Sequence, residues 1–177
     1  SWKREMNRSI FPDNPFLKMA WQQFPGNICY IWHSSLESAK VEKSIRDVGF
    51  ECQSQIIWVK NNYEFTIGDY HRQHEPCLYA VRKNCGYSWR GSEAESTVWF
   101  ISGLSSGDCC EEDLVAIHAA QKPLECMAKP IRHNSLAGEA IYDPFCGSGS
   151  TIMACEQLKR RCYAVEVFPQ YCDAIVK

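Results

Sequence analysis

The chain has 177 residues, of which 45% are hydrophobic and 23% charged, as expected for one folded domain with a hydrophobic core. Its formal net charge of -2 argues against a module that binds nucleic acid through overall basic charge. It does not argue against a protein that meets nucleic acid with one local face. Because no apolar run reaches the roughly 18–20 residues of a membrane span and no signal-peptide pattern opens the chain, we expect no membrane partner.

The eleven cysteines raise the question of disulfides or a metal site. No CxxC pair occurs, and six cysteines stand singly inside apolar stretches: Cys29, Cys52, Cys77, Cys146, Cys155 and Cys162. Buried free thiols behave as small hydrophobic side chains, so we expect core residues here and no metal. Cys109 and Cys110 are neighbours in a polar loop, and we expect this pairing to be incidental. Cysteines that are predicted to be free thiols indicate a reducing, cytoplasmic compartment.

Hydrophobic periodicity and breaker residues predict the elements of the first half. The predicted helices span 16–24, ended by Pro25-Gly26, and 38–48, ended by Gly49. The predicted strands, rich in β-branched and aromatic residues, are 27–32, 55–60 and 76–82.

The Gly/Ser-rich stretch 84–113 is predicted to be a loop with one short strand at 97–101, and to be the least structured part of the chain. The C-terminal third is more regular, with predicted helices at 122–131, at 151–158 and from 170 onward, and strands at 139–142 and 162–167. Pro130 is expected to disturb the end of the first of these helices. The β-turn-α-β order predicts a parallel α/β sheet covered on both faces.

The turn DPFCGSGS, residues 143–150, lies between a predicted strand and a predicted helix. Gly147 and Gly149 allow a sharp turn and a close approach of the backbone to a ligand. The following helix offers free N–H groups, and Glu166 stands about 20 residues downstream, where an acidic side chain accepts hydrogen bonds from ribose hydroxyls. Together these features indicate an adenosine-containing cofactor. The alternative is that these glycines only form a turn. Their position between a predicted strand and a predicted helix makes this alternative less favoured.

The residue pattern disfavours two common cofactors. A dinucleotide fingerprint requires GxGxxG, but Ile152 holds the third glycine position. A Walker loop requires Gly-Lys-Ser/Thr, but Ser150 follows Gly149. The identity of the cofactor stays open on this argument alone.

Five ordered segments resemble motifs of the DNA amino-methyltransferases. DPFCGSGST is similar to their motif I, and HAAQKP (118–123) to the start of their motif X helix. WVK (58–60) and HEP with Tyr79 resemble two stretches on the target side, while CYAVEV (162–167) with the following PQYC resembles motif II and its helix. The likeness covers roughly residues 27–177, and the order is the permuted arrangement called class β. It implies a Rossmann-like S-adenosylmethionine-dependent methyltransferase fold, a mostly parallel doubly wound sheet with one antiparallel strand, here incomplete.

The resemblance also implies roles for individual residues. Those expected around S-adenosylmethionine are Gln121, Lys122 and Pro123 beside its methionine end, Asp143, Pro144 and Phe145 in the methionine pocket, Gly147, Ser148 and Gly149 through their backbone, Thr151 as helix cap, Glu166 at the ribose and Phe168 against the adenine. Core packing is the alternative for the two phenylalanines. For His74 and Glu75, a structural hydrogen-bond pair is favoured over direct catalysis.

These enzymes grip the target base with a tetrapeptide, Asp/Asn/Ser-Pro-Pro-aromatic, which the 177 residues lack. The nearest string, Asp13-Asn-Pro-Phe16, lacks one proline and is interpreted as a turn that caps a helix. We therefore expect no catalytic residue in this chain and no activity from it alone. A missing N-terminal segment or a second chain is expected to complete the sheet.

The sequence thus predicts one methyltransferase domain over 1–177. We expect a lead-in helix in 1–26, target-side strands in 27–83, a loop or small recognition region in 84–117 and the cofactor-binding part in 118–177. The predicted activity is methylation of an exocyclic amino group in DNA, adenine N6 ahead of cytosine N4. The expected setting is restriction-modification in the cytoplasm of a prokaryote, or a phage-encoded protein. A non-catalytic subunit that binds DNA or the cofactor, or a methyltransferase acting on RNA or another substrate, is the alternative.

Overall fold

A computed structural model describes residues 15–102 and 122–176, with side chains from residue 17. In these residues the helices are α1 (Pro15–Gln23), α2 (Ser38–Arg46), α3 (Leu124–Asn134), α4 (Ser150–Gln157) and α5 (Pro169–Val176), with a short 3-10 helix at Ser35–Glu37. The strands are β1 (Ile28–Trp32), β2 (Phe50–Glu64), β3 (Arg72–Arg82), β4 (Val98–Phe100), β5 (Ala140–Asp143) and β6 (Arg161–Ala164).

The chain divides into two compact units. The first comprises Ser1–Ile57 and Glu75–Tyr87, and the second comprises Trp58–His74 and Ser88–Lys177. The long strands β2 and β3 each contribute residues to both units.

Two sheets form in the described residues. One has the order β1-β3-β2-β4, with β1 antiparallel to β3 and Tyr30 opposite Tyr79. The other is the parallel pair β5-β6, in which Asp143 lies opposite Ala164. The predicted parallel β-α-β arrangement is therefore found in the C-terminal third, where α4 connects β5 to β6.

The first unit is held together by a core between its helices and strands. Val41 and Ile45 of α2 and Phe50 at the start of β2 are fully buried. The other buried members of this core are Leu17, Ala20, Trp21, Cys29, Ile31, Leu78 and Ala80. Spacing of apolar residues by three or four positions places one face of each helix against the strands, which is why the sequence predicts both helices correctly.

Arg82 stabilises the segment that connects α1 to β1. Its guanidinium donates from Nε to the carbonyl oxygen of Gly26 (3.1 Å) and from Nη2 to that of Phe24 (2.7 Å). The same group lies over the ring of Phe50, 4.4 Å from its centroid. One charged side chain thus satisfies two loop carbonyls, which are costly to bury without partners.

The second unit packs α3 against α4. Ala128 and Ile131 of α3 are buried against Ala154 and Cys155 of α4. Leu124, Met127, Ile141, Leu158 and Cys162 border this cluster. Because α4 also connects the parallel strands, this packing fixes the direction in which the glycine turn enters its helix.

Residues 84–102 of the predicted loop make contacts with α3 that the sequence does not predict, and residues 103–113 lie outside the described residues. Within the predicted loop 84–113, Glu95 forms an ion pair with Lys129 of α3, Nζ to Oε2 2.8 Å. Asn134 donates from Nδ2 to the carbonyl oxygen of Ser88 (3.0 Å). A polar, glycine-rich composition predicts a loop, but it does not reveal that the loop is anchored on a helix more than 30 residues downstream.

Several boundaries differ from the predicted ones. β2 begins at Phe50 and continues to Glu64, and β3 begins at Arg72, so His74 and Glu75 lie inside a strand. The predicted strands omit the start of β2, where Phe50 is buried, and the largely exposed polar residues 61–64 of β2 and 72–75 of β3. Pro130 lies inside α3, which continues to Asn134.

The prediction of free thiols is confirmed for all six cysteines that sit in apolar stretches, of which Cys29, Cys77, Cys146 and Cys155 are buried. Cys109 and Cys110 lie outside the described residues. Within 15–102 and 122–176, no cluster of histidine, cysteine and acidic side chains is suited to a metal ion. Over the same ranges, no helix combines the length and hydropathy needed to span a membrane.

The packing of α2 leads to the first prediction. Ile45→Ala removes a fully buried side chain and leaves a cavity, so we expect the free energy of unfolding to fall by about 2–5 kcal/mol. Leu36→Ala is the matched control, because Leu36 is 93% exposed and its loss should change stability by less than about 0.5 kcal/mol. Urea unfolding of the two variants measures both values, and equal losses would contradict the assignment of this core.

Candidate functional site

The parallel pairing of β5 and β6 brings two loops together at the carboxyl ends of the strands. The ladder continues past the strands, because Val165 donates its N–H to the carbonyl oxygen of Asp143 (2.9 Å). Cys146 in turn donates to the carbonyl oxygen of Val165 (3.1 Å). The turn after β5 and the segment after β6 are therefore neighbours in space, although they are about 20 residues apart in sequence.

The turn after β5 is closed by its own polar groups. Oδ1 of Asp143 accepts the N–H of Phe145 (3.0 Å), and the N–H of Gly149 binds the carbonyl oxygen of Cys146 (2.9 Å). Gly147 and Gly149 have φ values of +53° and +86°, in the left-handed region that favours glycine. A Cβ at Gly147 would meet no atom within 4 Å, so the backbone there borders open space.

Glu166 links the two loops through its carboxylate. Oε2 accepts the N–H of Gly147 (2.8 Å) from the turn after β5. Oε1 accepts the N–H groups of Val167 (2.8 Å) and Phe168 (2.9 Å), which follow β6. The acidic residue that the sequence singles out for its spacing is thus held against the glycine turn by one hydrogen bond, and two more join its carboxylate to the segment after β6.

The start of α4 differs in detail from the prediction. The residue at the N-cap position is Gly149, and Thr151 is buried inside the first turn of the helix. Thr151 as helix cap is therefore wrong, because the left-handed conformation that ends the turn falls on Gly149 and starts the helix one residue earlier.

Ser150 adjoins the candidate site, and the sequence analysis does not single it out. Its Oγ donates to the carbonyl oxygen of Lys122 (3.1 Å), and both residues are largely shielded from solvent. This bond connects the end of the glycine turn to Lys122, two positions before the first residue of α3. A hydroxyl at the first position of a helix was the available signal, but its partner lies 28 positions away and is not visible in sequence.

The two aromatic residues of the predicted site are not core residues. Phe145 is 43% exposed and Phe168 is 45% exposed, which argues against core packing as their only role. The ring of Phe168 meets that of Tyr171 edge-on, with centroids 6.2 Å apart. Each ring therefore has a face or an edge at the surface beside the glycine turn.

Cys146 is the thiol within the turn. Burial, reinforced by the nearby carboxylates of Asp143 and Glu166, raises its pKa to about 11. The side chain is consequently a neutral thiol near pH 7. Cysteine nucleophilic chemistry requires the thiolate, so this residue is not suited to it.

The structure brings most of the predicted site residues together. Gln121 lies outside the described residues, and Pro123 precedes α3 as its N-cap residue. Lys122, Asp143, Pro144, Phe145, Gly147, Ser148, Gly149, Glu166 and Phe168 all belong to the second unit, in the two loops or at the start of α3. His74 is exposed on β3, and Glu75 follows it in the same strand.

A parallel strand pair with a glycine turn after one strand and an acidic residue after the next is typical of Rossmann-like folds, among them the predicted fold of S-adenosylmethionine-dependent methyltransferases. The family model described as DNA methylase matches residues 25–177, and the chain belongs to this family.

Similar proteins agree with this assignment. The type II methyltransferase M.Cfr9I of Citrobacter freundii is 24% identical over 145 residues, which are 75% of this chain and 46% of the relative. The chain thus spans about half the length of that curated relative. Among solved structures, the M1.HpyAVI-SAM complex superposes with a TM-score of 0.76 at 22% identity, covering 93% of this chain and 81% of the other. The cytosine-N4-specific PvuII DNA methyltransferase gives 0.68 at 15% identity, covering 84% and 61%. These structures show the fold.

The second prediction concerns Gly149. An added Cβ would lie 2.9 Å from Cγ1 of Ile175, and the backbone is left-handed, so Gly149→Ala should lower the free energy of unfolding by about 2–4 kcal/mol. Gly147→Ala is the control, because it meets no neighbour and carries only the conformational cost of about 1–2 kcal/mol. Urea unfolding ranks the two, and a larger loss for Gly147→Ala would contradict the geometry of the turn.

Proposed function

We propose that this chain provides the S-adenosylmethionine-binding part of a DNA methyltransferase that modifies an exocyclic amino group of a base. The observation that carries the proposal is the carboxylate of Glu166 beside the glycine turn, with Oε2 2.8 Å from the nitrogen of Gly147. Membership of the DNA methylase family supports the same activity.

The residues around the turn suit the adenosine half of this cofactor. Glu166 offers acceptor oxygens for ribose hydroxyls, which donate hydrogen bonds. The open space at Gly147 leaves room for a ligand against the backbone. Phe168, half exposed just after Glu166, offers a ring to the adenine, for which a flat apolar surface is suitable.

The amino acid half would lie toward Lys122 and the turn. Lys122 and Ser150 are joined by a hydrogen bond, which keeps the start of α3 beside the turn. We propose that Asp143, Pro144 and Phe145 line the methionine pocket and that Ser148 and Gly149 contribute backbone contacts. When bound, the cofactor supplies an activated methyl group, and these residues hold it in a fixed position so that its reacting end is oriented.

Transfer to an amino nitrogen requires no enzyme nucleophile, which fits the neutral thiol of Cys146. The base would be turned out of the duplex to reach the methyl group. Orientation of its amino group is the task of the Pro-Pro tetrapeptide in the family, and the 177 residues contain no Pro-Pro pair. We therefore propose that the catalytic contacts come from residues outside this chain.

We propose adenine N6 as the target position. Cytosine N4 is the second candidate, because one of the similar structures is a cytosine-N4-specific enzyme. A subunit that binds the cofactor or DNA without catalysing transfer is the alternative of a different class.

The third prediction concerns the cofactor. Isothermal titration should detect binding of S-adenosylmethionine and not of NAD, since the turn lacks the third glycine that a dinucleotide requires. Glu166→Ala should weaken binding by about 1–3 kcal/mol, the cost of leaving buried donors unpaired. Glu156→Ala on the exposed face of α4 removes the same charge and should leave affinity unchanged. Binding of NAD alone would refute the proposal.

The fourth prediction concerns transfer to DNA. With methyl-labelled cofactor and mixed-sequence duplex DNA, we expect no transfer by this chain alone, and transfer once a segment with the Asp/Asn/Ser-Pro-Pro-aromatic tetrapeptide precedes it. Mass spectrometry of the digested nucleosides should then identify N6-methyladenine. N4-methylcytosine would instead establish the second candidate, and cofactor binding without any transfer by the longer protein would support a non-catalytic subunit.

A further inference from the structure

We propose that Glu166 is a positioning residue that shapes the glycine turn before any ligand arrives, in addition to the ribose contact on which the proposed function relies. Its carboxylate is the shared acceptor for backbone N–H groups from both loops, Gly147 on one side and Val167 and Phe168 on the other. Loss of the carboxylate would release the turn after β5 from the segment after β6.

The need for such an acceptor follows from the conformation of the turn. Gly147 is left-handed, and the local acceptors Asp143 and Cys146 bind the N–H groups of Phe145 and Gly149 and not that of Gly147. An N–H in a partly buried turn requires a partner, and an ionised acceptor forms a stronger hydrogen bond than a neutral one. The oxygen that fulfils this need belongs to a residue 19 positions away.

The hydrogen-bonding capacity of the carboxylate limits what it can still accept. A carboxylate has roughly four lone-pair sites, and three are used by backbone N–H groups. One ribose hydroxyl can therefore join Oε2 while the turn stays in place. A second hydroxyl on the same carboxylate would have to share an oxygen with a backbone N–H or displace it.

Glutamine at position 166 distinguishes the hydrogen bonds made by Oε1 from the hydrogen bond made by Oε2. Its one amide oxygen can replace Oε1 and keep the bonds to Val167 and Phe168, but its NH₂ group cannot accept the N–H of Gly147. Alanine removes all three bonds. The two substitutions therefore predict different patterns of exposed backbone amides.

Hydrogen–deuterium exchange, followed by NMR on ligand-free protein, tests this directly. In the unsubstituted chain we expect the amide of Gly147 to be protected. Glu166→Gln should raise its exchange rate by at least about tenfold, the factor equivalent to one charge-assisted hydrogen bond, and leave Val167 and Phe168 protected. Glu166→Ala should raise all three rates. Glu156→Gln, the matched control on the exposed side of α4, should change none.

A ligand without ribose hydroxyls distinguishes positioning from ribose contact. The 2′,3′-dideoxy analogue of S-adenosylhomocysteine has no hydroxyl for Glu166 to accept. If Glu166 positions the turn, Glu166→Gln still weakens binding of this analogue severalfold. The affinities of the two proteins for the two ligands form a thermodynamic cycle that measures this effect. If Glu166 contacts only ribose, the substitution leaves its affinity unchanged.

Two results would overturn the inference. One is an unprotected Gly147 amide in the ligand-free, unsubstituted chain, which needs no variant to fold. The other is unchanged exchange at Gly147 in a folded Glu166→Ala protein, whose residue 166 has no side-chain acceptor. Neither result depends on cofactor binding. The proposed function would fail if titration detected no binding of S-adenosylmethionine, and that outcome is separate from these two.

Discussion

The carboxylate of Glu166 makes the hydrogen bonds on which the geometry of the candidate site depends. Parallel strands place their carboxyl ends side by side, but the loops that follow are free to diverge unless something joins them. Here an ionised side chain binds backbone N–H groups from both loops at 2.8–2.9 Å. The ladder bonds between Asp143, Val165 and Cys146 hold the two segments in register up to that point.

This arrangement explains why the turn needs glycine twice. The chain leaves β5, reverses and enters α4 within a few residues, and the left-handed conformation recurs at Gly147 and Gly149. At Gly149 there is also no room for a side chain beside Ile175. At Gly147 there is room, so glycine is required there by conformation and leaves the backbone accessible. The left-handed conformation favours glycine at both positions, and packing against Ile175 is a second requirement at Gly149 alone.

Helix packing extends the same organisation toward α3. Ala154 and Cys155 of α4 pack on Ala128 and Ile131 of α3, and the hydroxyl of Ser150 binds the carbonyl oxygen of Lys122. Small side chains at this contact allow the two helices to approach closely. The start of α3 is consequently fixed relative to the glycine turn.

The sequence by itself determined the helices, the apolar centres of the strands, the glycine turn and the acidic residue after β6. These features depend on local backbone preference and on the period of the apolar residues, and both can be recognised from residues that are close together in the sequence. Only the tertiary structure decided that Glu166 binds the backbone amide of Gly147, that Ser150 meets Lys122, and that Glu95 anchors its loop on α3. Each of these is a contact between groups about 20 or more positions apart, whose partners are chosen by packing. For the same reason the polar ends of β2 and β3 escaped prediction, since pairing with a neighbouring strand, and not local composition, keeps them extended.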